Sequence, residues 1–160
     1  MDAKMTSQEI KEAFLNHSDM VYRLAFARTK SSYDADDILQ EVFLRLLKSK
    51  TVPVNEEHLK ATIIRITINC SKSLLTSAPF KRNVELREDI PASDTDFETL
   101  DAVLRLPKKY RTVVHLHYYC GYKTDEIASL LYIKPSTVKS QLFRARQMLE
   151  KSLKGANFDV

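Results

Sequence analysis

Residues 122–146, YKTDEIASLLYIKPSTVKSQLFRAR, constrain the fold most, because two helical patterns follow each other across a very short break. Thr124 stands at a capping position, and Asp125 and Glu126 follow in the first turn, where the helix dipole favours carboxylates. Pro135 suits the first position of the second helix, since its φ is helical and its missing N–H would have had no partner. The stretch predicts two short helices around a tight turn at residues 132–133.

The second of these helices has two unlike sides. Its apolar residues recur at helical spacing and predict one buried stripe of Val138, Leu142, Ala145 and Leu149. The opposite side carries Ser136, Ser140, Phe143, Arg144 and Gln147, flanked by Thr137, Lys139, Gln141 and Arg146. A helix that is apolar behind and polar and basic in front suits the major groove of DNA, although a solvated basic face is the plainer alternative.

Composition predicts an all-α protein. The 160 residues include two glycines and five prolines among many strong helix formers. No apolar run reaches the length of a membrane span, and the polar start lacks a signal-peptide core. Cys70 and Cys120 are too few and too scattered for a disulfide framework. We therefore expect free thiols, a cytoplasmic location and no membrane insertion.

Charge divides the chain into three segments. Residues 1–82 hold 13 basic and 10 acidic side chains, residues 83–98 hold one and six, and residues 99–160 hold 11 and five. The middle segment contains Pro91 and no helical stripe, so it is interpreted as a linker. The excess of basic side chains in the last segment favours binding to the phosphates of nucleic acid. We predict two small helical domains, 1–82 and 99–160, joined by the acidic linker 83–98, the C-terminal domain being a helix-turn-helix.

Helical patterns also fill the N-terminal domain, first over residues 7–17 and continuing over 20–30, then over 33–47 and over 55–75. In the pattern over residues 33–47, an acidic first turn precedes three residues expected to point inward, Ile38, Val42 and Leu46. The pattern over residues 55–75 places Leu59, Ile63 and Ile66 along one stripe. This last pattern leads to Phe80, Lys81 and Arg82. An aromatic and basic loop can hold an unpaired strand, and a core role for Phe80 is the alternative.

Three motifs, in this order, resemble those of bacterial sigma factors. DADDILQEVFLRLL is similar to the helix that grips the core of RNA polymerase, and ATIIRITINCSKSLL is similar to the promoter-melting segment. Residues 106–149, LPKKYRTVVHLHYYCGYKTDEIASLLYIKPSTVKSQLFRARQML, closely resemble the C-terminal promoter-reading domain. With only two domains and a short linker, the chain resembles the small extracytoplasmic-function (ECF) group over most of residues 10–153.

The resemblance implies three sets of site residues. Docking on core polymerase falls to Asp37, Gln40, Glu41 and Phe43, and promoter melting to Arg65, Asn69, Lys72, Lys81 and Arg82. The major groove of the upstream promoter element would receive Ser136, Thr137, Lys139, Ser140 and Arg144, while Arg111, Lys123 and Arg146 would contact the DNA backbone. The implied partners are core RNA polymerase, promoter DNA and an anti-sigma factor, with no cofactor and no metal.

Four positions depart from the pattern of that family. Thr62 stands where the family commonly has Trp, and Ser73 stands where it has Asp. Tyr132 replaces the glycine of the turn, and a left-handed backbone there would cost about 1 kcal/mol. Lys134 takes the place of a serine that often caps the recognition helix.

Other classes of function have less support. His115 and His117 would point about 200° apart on a helix, which disfavours a metal site. Two glycines cannot build a phosphate-cradling loop, so an enzyme is not expected. A stand-alone helix-turn-helix regulator would need a dimer interface, for which no heptad run is present. A helical protein-interaction adaptor with weak DNA affinity would show little salt dependence of DNA binding.

Overall fold

The computed structural model of the chain describes residues 4–76 and 97–155, and every regular element within these ranges is a helix. The chain divides into two compact units, Met1–Arg87 and Glu88–Val160. The prediction of an all-α protein built from two helical units is confirmed. Across the described ranges, no helix is both long and apolar enough to cross a membrane.

The first unit contains α1 (Ser7–Thr29), α2 (Ser32–Lys48) and α3 (Glu56–Thr76). Helix α1 runs without a break, and it begins with a reciprocal cap. The hydroxyl of Thr6 accepts from the Glu9 N–H at 3.1 Å, and the Glu9 carboxylate accepts from the Thr6 N–H at 2.9 Å. The three helices pack on one another in pairs.

The core of the first unit follows the predicted apolar stripes closely. Ile38, Val42 and Leu46 are buried, as expected for the inward side of α2. On α3, Leu59 and Ile63 are buried, whereas Ile66 is only half-buried. The buried side of α3 is completed by Ile64, Thr67, Ile68, Cys70 and Ser71. This side is wider than one stripe because α3 packs against both α1 and α2.

The second unit contains α4 (Phe97–Leu104), α5 (Lys108–Val114), a π-helical turn (His115–Tyr119), α6 (Thr124–Leu131) and α7 (Pro135–Gly155). Helix α4 already includes the last two residues of the predicted linker. The rest of the linker, together with Phe80, Lys81 and Arg82, lies outside the described residues. The domain boundaries stay predictions.

Helices α4, α5 and α6 all pack against α7. The buried stripe predicted for α7 is confirmed at Val138, Leu142 and Ala145, and Leu149 is half-buried. This stripe fixes the rotation of α7 about its axis, so its polar side faces away from the core.

The turn between α6 and α7 has the predicted strained residue. Tyr132 is left-handed, with φ 58° and ψ 42°. The capping role predicted for Thr124 is wrong, because Thr124 is the first helical residue and Lys123 is the cap. The Glu126 carboxylate accepts a hydrogen bond from the Lys123 N–H at 2.9 Å. One backbone N–H at the start of α6 is thereby satisfied.

Candidate nucleic-acid and polymerase interfaces

An open cleft of about 260 Å³ separates the start of α5 from the first turns of α7. It is lined by Lys109, Tyr110, Ser136, Thr137, Ser140, Gln141 and Arg144. Four of the five residues predicted for the major groove therefore share one concave surface, and Lys139 is exposed but does not line it. The charged side chains of the lining, Lys109 and Arg144, are both cations. A polar, basic and open surface of this kind suits nucleic acid.

Lys123 and Arg146 flank this surface. Lys123 is exposed at the start of α6. Arg146 is also exposed, and its Nε donates a hydrogen bond of 2.5 Å to the hydroxyl of Tyr118 in the π-helical turn. The guanidinium carbon lies 5.6 Å from the centroid of the Tyr118 ring, within the range of a cation–π contact. Arg146 is thus held in place on the outside of the unit.

Arg111 has a structural place that differs from its predicted one. It is 7% exposed, and its Nη1 donates a 2.5 Å hydrogen bond to the carbonyl of Leu106, just before α5. Burial lowers the pKa of the Arg111 guanidinium from its ordinary value, because removal from water disfavours the charge. The side chain therefore supports the start of α5, and its predicted contact with the DNA backbone stays a prediction.

Lys109 places a cation in the cleft lining, which Arg111 does not join. Lys109 was not identified as a site residue from the sequence alone. It is exposed and lines the cleft, and its Nζ lies 5.2 Å from the centroid of the neighbouring Tyr110 ring. The signal that could have found it is the basic pair Lys108–Lys109 directly after Pro107, at a helix start.

Helix α2 presents an exposed face on the first unit. Asp37 and Gln40 are exposed, and Glu41 forms an ion pair with Arg45, with 3.2 Å between Oε1 and Nε. This pair bridges one turn on a solvated face, so it adds little stability. The face is therefore polar along one edge.

Phe43, predicted to dock on polymerase, is packed in the core, and its docking role stays a prediction. It is 8% exposed, and its ring meets the Phe14 ring edge-on with centroids 5.0 Å apart. It lies beside Val42 and one turn before Leu46, which places it on the inward side of α2. Among the apolar side chains exposed on α2, Tyr33 lies at its start, and Leu44, at 48%, and Leu47, at 44%, lie along its second half. The spacing of the two leucines from Gln40, four and seven residues on, is the signal that could have identified them.

Helix α3 carries the described part of the predicted melting segment. Asn69 and Lys72 are exposed on one side with Ser73, and Arg65 is half-buried one turn earlier. The helix is anchored from behind, because the buried Arg28 of α1 donates from Nε to the Ser71 hydroxyl. That hydroxyl in turn donates to the carbonyl of Ile68 at 2.7 Å.

In the part of the chain that the structure describes, no group of three or more His, Cys, Asp or Glu side chains could hold a metal ion. His115 and His117 also have different neighbours. His115 stacks on Tyr119 with ring centroids 4.8 Å apart, whereas the Nδ1–H of His117 donates to the carbonyl of Tyr122 at 2.8 Å.

A helix-turn-helix beside an open basic cleft is typical of a DNA-binding protein. Residues 13–78 match the family model of sigma-70 region 2, and residues 97–149 match that of sigma-70 region 4. The chain belongs to the sigma-70 family of RNA polymerase sigma factors, in its extracytoplasmic-function group. As a member of that group, it directs promoter-specific initiation of transcription.

Individual relatives agree with this assignment. The chain is 28% identical over 149 residues to the RNA polymerase sigma factor SigV of Bacillus subtilis, covering 86% of this chain and 87% of SigV. It is 31% identical over 156 residues to the ECF sigma factor SigE of Mycolicibacterium smegmatis, covering 89% of this chain and 60% of SigE. The fold is similar to that of the sigma factor RpoE of Bartonella quintana, solved in complex with the anti-sigma factor NepR. The TM-score is 0.71 at 18% identity, covering 94% of this chain and 98% of RpoE.

Proposed function

We propose that this sigma factor divides its work among three surfaces. The exposed face of α2 docks on core polymerase, the exposed side of α3 engages the melted promoter, and the cleft between α5 and α7 receives the upstream promoter element. The observation that carries the proposal is the cleft, because it gathers Ser136, Thr137, Ser140 and Arg144 with an additional cation, Lys109.

In the cleft, hydroxyl and guanidinium groups supply the base-reading chemistry. Arg144 can donate two parallel hydrogen bonds to a guanine, and each good contact of this kind discriminates by about 1–3 kcal/mol against a wrong base pair. Ser136 and Ser140 can pair with several bases at shorter reach. Lys109, Lys123, Lys139 and Arg146 surround them as cations for backbone phosphates, which position the helix without reading sequence.

On α2, docking on core polymerase combines polar and apolar contacts. Asp37, Gln40 and Glu41 supply the polar ones, and Leu44 and Leu47 supply apolar area that a partner would remove from water. Exposed leucines among polar groups are typical of a protein-binding patch. Phe43 supports this face from beneath through its contact with Phe14.

On α3, Arg65, Asn69 and Lys72 are proposed to meet the opened strand, together with Lys81 and Arg82 beyond the described part of this helix. Bases leaving the duplex lose stacking, and cations with hydrogen-bonding side chains can compensate for that loss at the right sequence. The Arg28–Ser71 contact holds the opposite side of α3 in place.

The remaining parts of the proposal concern setting and control. The protein is proposed to act in the cytoplasm, where polymerase and promoter meet, and to have no catalytic chemistry of its own. RpoE of Bartonella quintana was solved with an anti-sigma factor. By analogy, we propose that an anti-sigma factor also holds this chain.

Run-off transcription with purified bacterial core polymerase, with and without this protein, tests the proposal on a promoter library. Transcripts that depend on the protein and share a two-part sequence are expected. Arg144→Ala is expected to relax the upstream preference only. Salt-sensitive binding to a palindrome without transcripts would instead indicate a stand-alone regulator, and DNA binding indifferent to salt would indicate an adaptor.

A further inference from the structure

A buried arginine of α1 contacts the last part of α3, the helix proposed to meet the opened strand. Arg28 is 5% exposed, and its Nε donates a hydrogen bond to the Ser71 hydroxyl. That hydroxyl is also joined to the backbone of its own helix, since it donates to the Ile68 carbonyl at 2.7 Å. A buried cation is unfavourable unless hydrogen bonds satisfy its donors, so Arg28 holds Ser71 in one arrangement.

Apolar packing orients this part of α3 only weakly. The buried side of the helix carries large branched residues such as Ile63 and Ile68. Beyond Ile68, the buried residues among the described side chains of α3 are Cys70 and Ser71, which are both small. Small side chains remove little apolar area from water and interlock little with a neighbouring helix. The hydrogen bond from Arg28 therefore orients the helix where packing contributes least.

The direction of Ser71 determines where its neighbours on α3 point. Successive residues of an α-helix are about 100° apart around the axis, so Lys72 lies about 100° and Asn69 about 200° from Ser71. Both Asn69 and Lys72 are exposed. Holding Ser71 inward therefore keeps these two side chains outward, on the side of α3 that carries the proposed strand contacts.

We propose that Arg28 is a positioning residue for promoter opening, which acts through Ser71 on the orientation of Asn69 and Lys72. Arg28 lies behind α3 and does not itself touch the DNA. Loss of its contact should slow strand separation and should matter little once the strands are already apart. This inference rests on the proposed role of α3 in melting.

The test uses the full chain with core polymerase on one promoter from the run-off library, prepared as a duplex and with a mismatched, already opened segment. A 2-aminopurine base in that segment reports strand separation by its fluorescence. Ser71→Ala removes the acceptor, and Arg28→Met removes the donor and keeps an unbranched side chain. Both are expected to open the duplex about 3- to 30-fold more slowly and to transcribe the opened promoter within about twofold of the parent. Arg28→Lys, which keeps a cationic donor, is expected to open the duplex faster than Arg28→Met.

Thr67 provides the matched control, because it lies one turn before Ser71 on the same helix. It is fully buried, and its hydroxyl donates to the Ile63 carbonyl of α3 itself at 2.8 Å. Thr67→Val removes a buried hydroxyl and leaves the Arg28 contact in place. This variant is expected to lower the midpoint of thermal unfolding and to keep the parent's ratio of activity on the duplex to activity on the opened promoter. Direct binding of each variant to core polymerase shows that it is folded.

The outcomes separate this inference from the one beneath it. Opening at the parent rate by Ser71→Ala overturns the role of Arg28. An equal loss on both promoters also overturns it, as does the same selective loss in Thr67→Val, because the contact would then only support the fold. Asn69→Ala and Lys72→Ala test the assignment beneath, and if neither slows opening, the proposed role of α3 itself is wrong.

Discussion

Arg146 of α7 donates from Nε to the hydroxyl of Tyr118, at 2.5 Å, and so links α7 to the π-helical turn after α5. Tyr118 is 58% exposed, and Arg146 is exposed as well, so the link lies on the surface. An arginine that is already ordered loses less side-chain entropy when it meets a phosphate. The relationship therefore favours Arg146 as a pre-positioned backbone contact.

Replacing Arg146 tests this directly. Arg146→Ala is expected to lower affinity for promoter duplex and to reduce the slope of log K against log salt by about 0.9, the value for one lost phosphate contact. Tyr118→Phe should weaken binding only about two- to fivefold, through poorer ordering, and leave the slope unchanged. Titrations at several salt concentrations measure both. If Arg146→Ala keeps the same slope of log K against log salt as the parent, Arg146 does not contact a phosphate. Lys11→Ala, which removes an exposed cation from α1, serves as a charge control.

Leu44 and Phe43 are adjacent on α2 but should respond in opposite ways. Leu44→Ala is expected to reduce core polymerase affinity about tenfold with little change in the free energy of unfolding, because about half of its side chain is exposed. Phe43→Ala is expected to lower the free energy of unfolding by about 3–5 kcal/mol, because it empties a core position against Phe14. Core-binding titration and urea denaturation distinguish them. Equal core affinity for Leu44→Ala and the parent would exclude Leu44 from the docking face.

Arg111 is expected to matter for stability. Arg111→Ala should lower the free energy of unfolding by about 1.5–3 kcal/mol, since it removes a hydrogen bond from a charged donor and leaves the Leu106 carbonyl without it. Arg105→Ala is the control, because the Arg105 side chain is 76% exposed and forms a solvated ion pair with Asp101 four residues earlier. Denaturant titration measures both. Similar small losses for the two variants would show that the buried hydrogen bond contributes nothing.

The left-handed backbone at Tyr132 predicts that glycine and alanine at this position will differ in stability. Tyr132→Gly is expected to be more stable than Tyr132→Ala by about 1 kcal/mol, because glycine adopts φ 58° without a Cβ penalty and alanine does not. Tyr132 is 75% exposed, so either change sacrifices little packing. Thermal unfolding of the two variants measures the difference. The same midpoint for both would mean that the turn carries no backbone strain.

Short-range rules predicted much of this protein from its sequence. The apolar stripes at Ile38, Val42 and Leu46 and at Val138, Leu142 and Ala145 became the buried sides of α2 and α7. Pro135 begins α7, and Tyr132 has the left-handed conformation expected of the turn. These features depend on helical periodicity and backbone sterics, which act within a few residues.

Packing between helices decided what periodicity could not. Phe43 and Arg111 occupy motif positions expected at the surface, yet both are enclosed by neighbouring elements. Lys109 and Gln141 are 32 positions apart in the sequence, and only the packing of α5 on α7 brings them to one cleft. Sequence by itself predicted α1, α2, α3, α6 and α7, their order and the family, but gave no bounds for α4, α5 or the π-helical turn. The tertiary structure alone decided which polar side chains share a surface, because burial depends on contacts between residues distant in the chain.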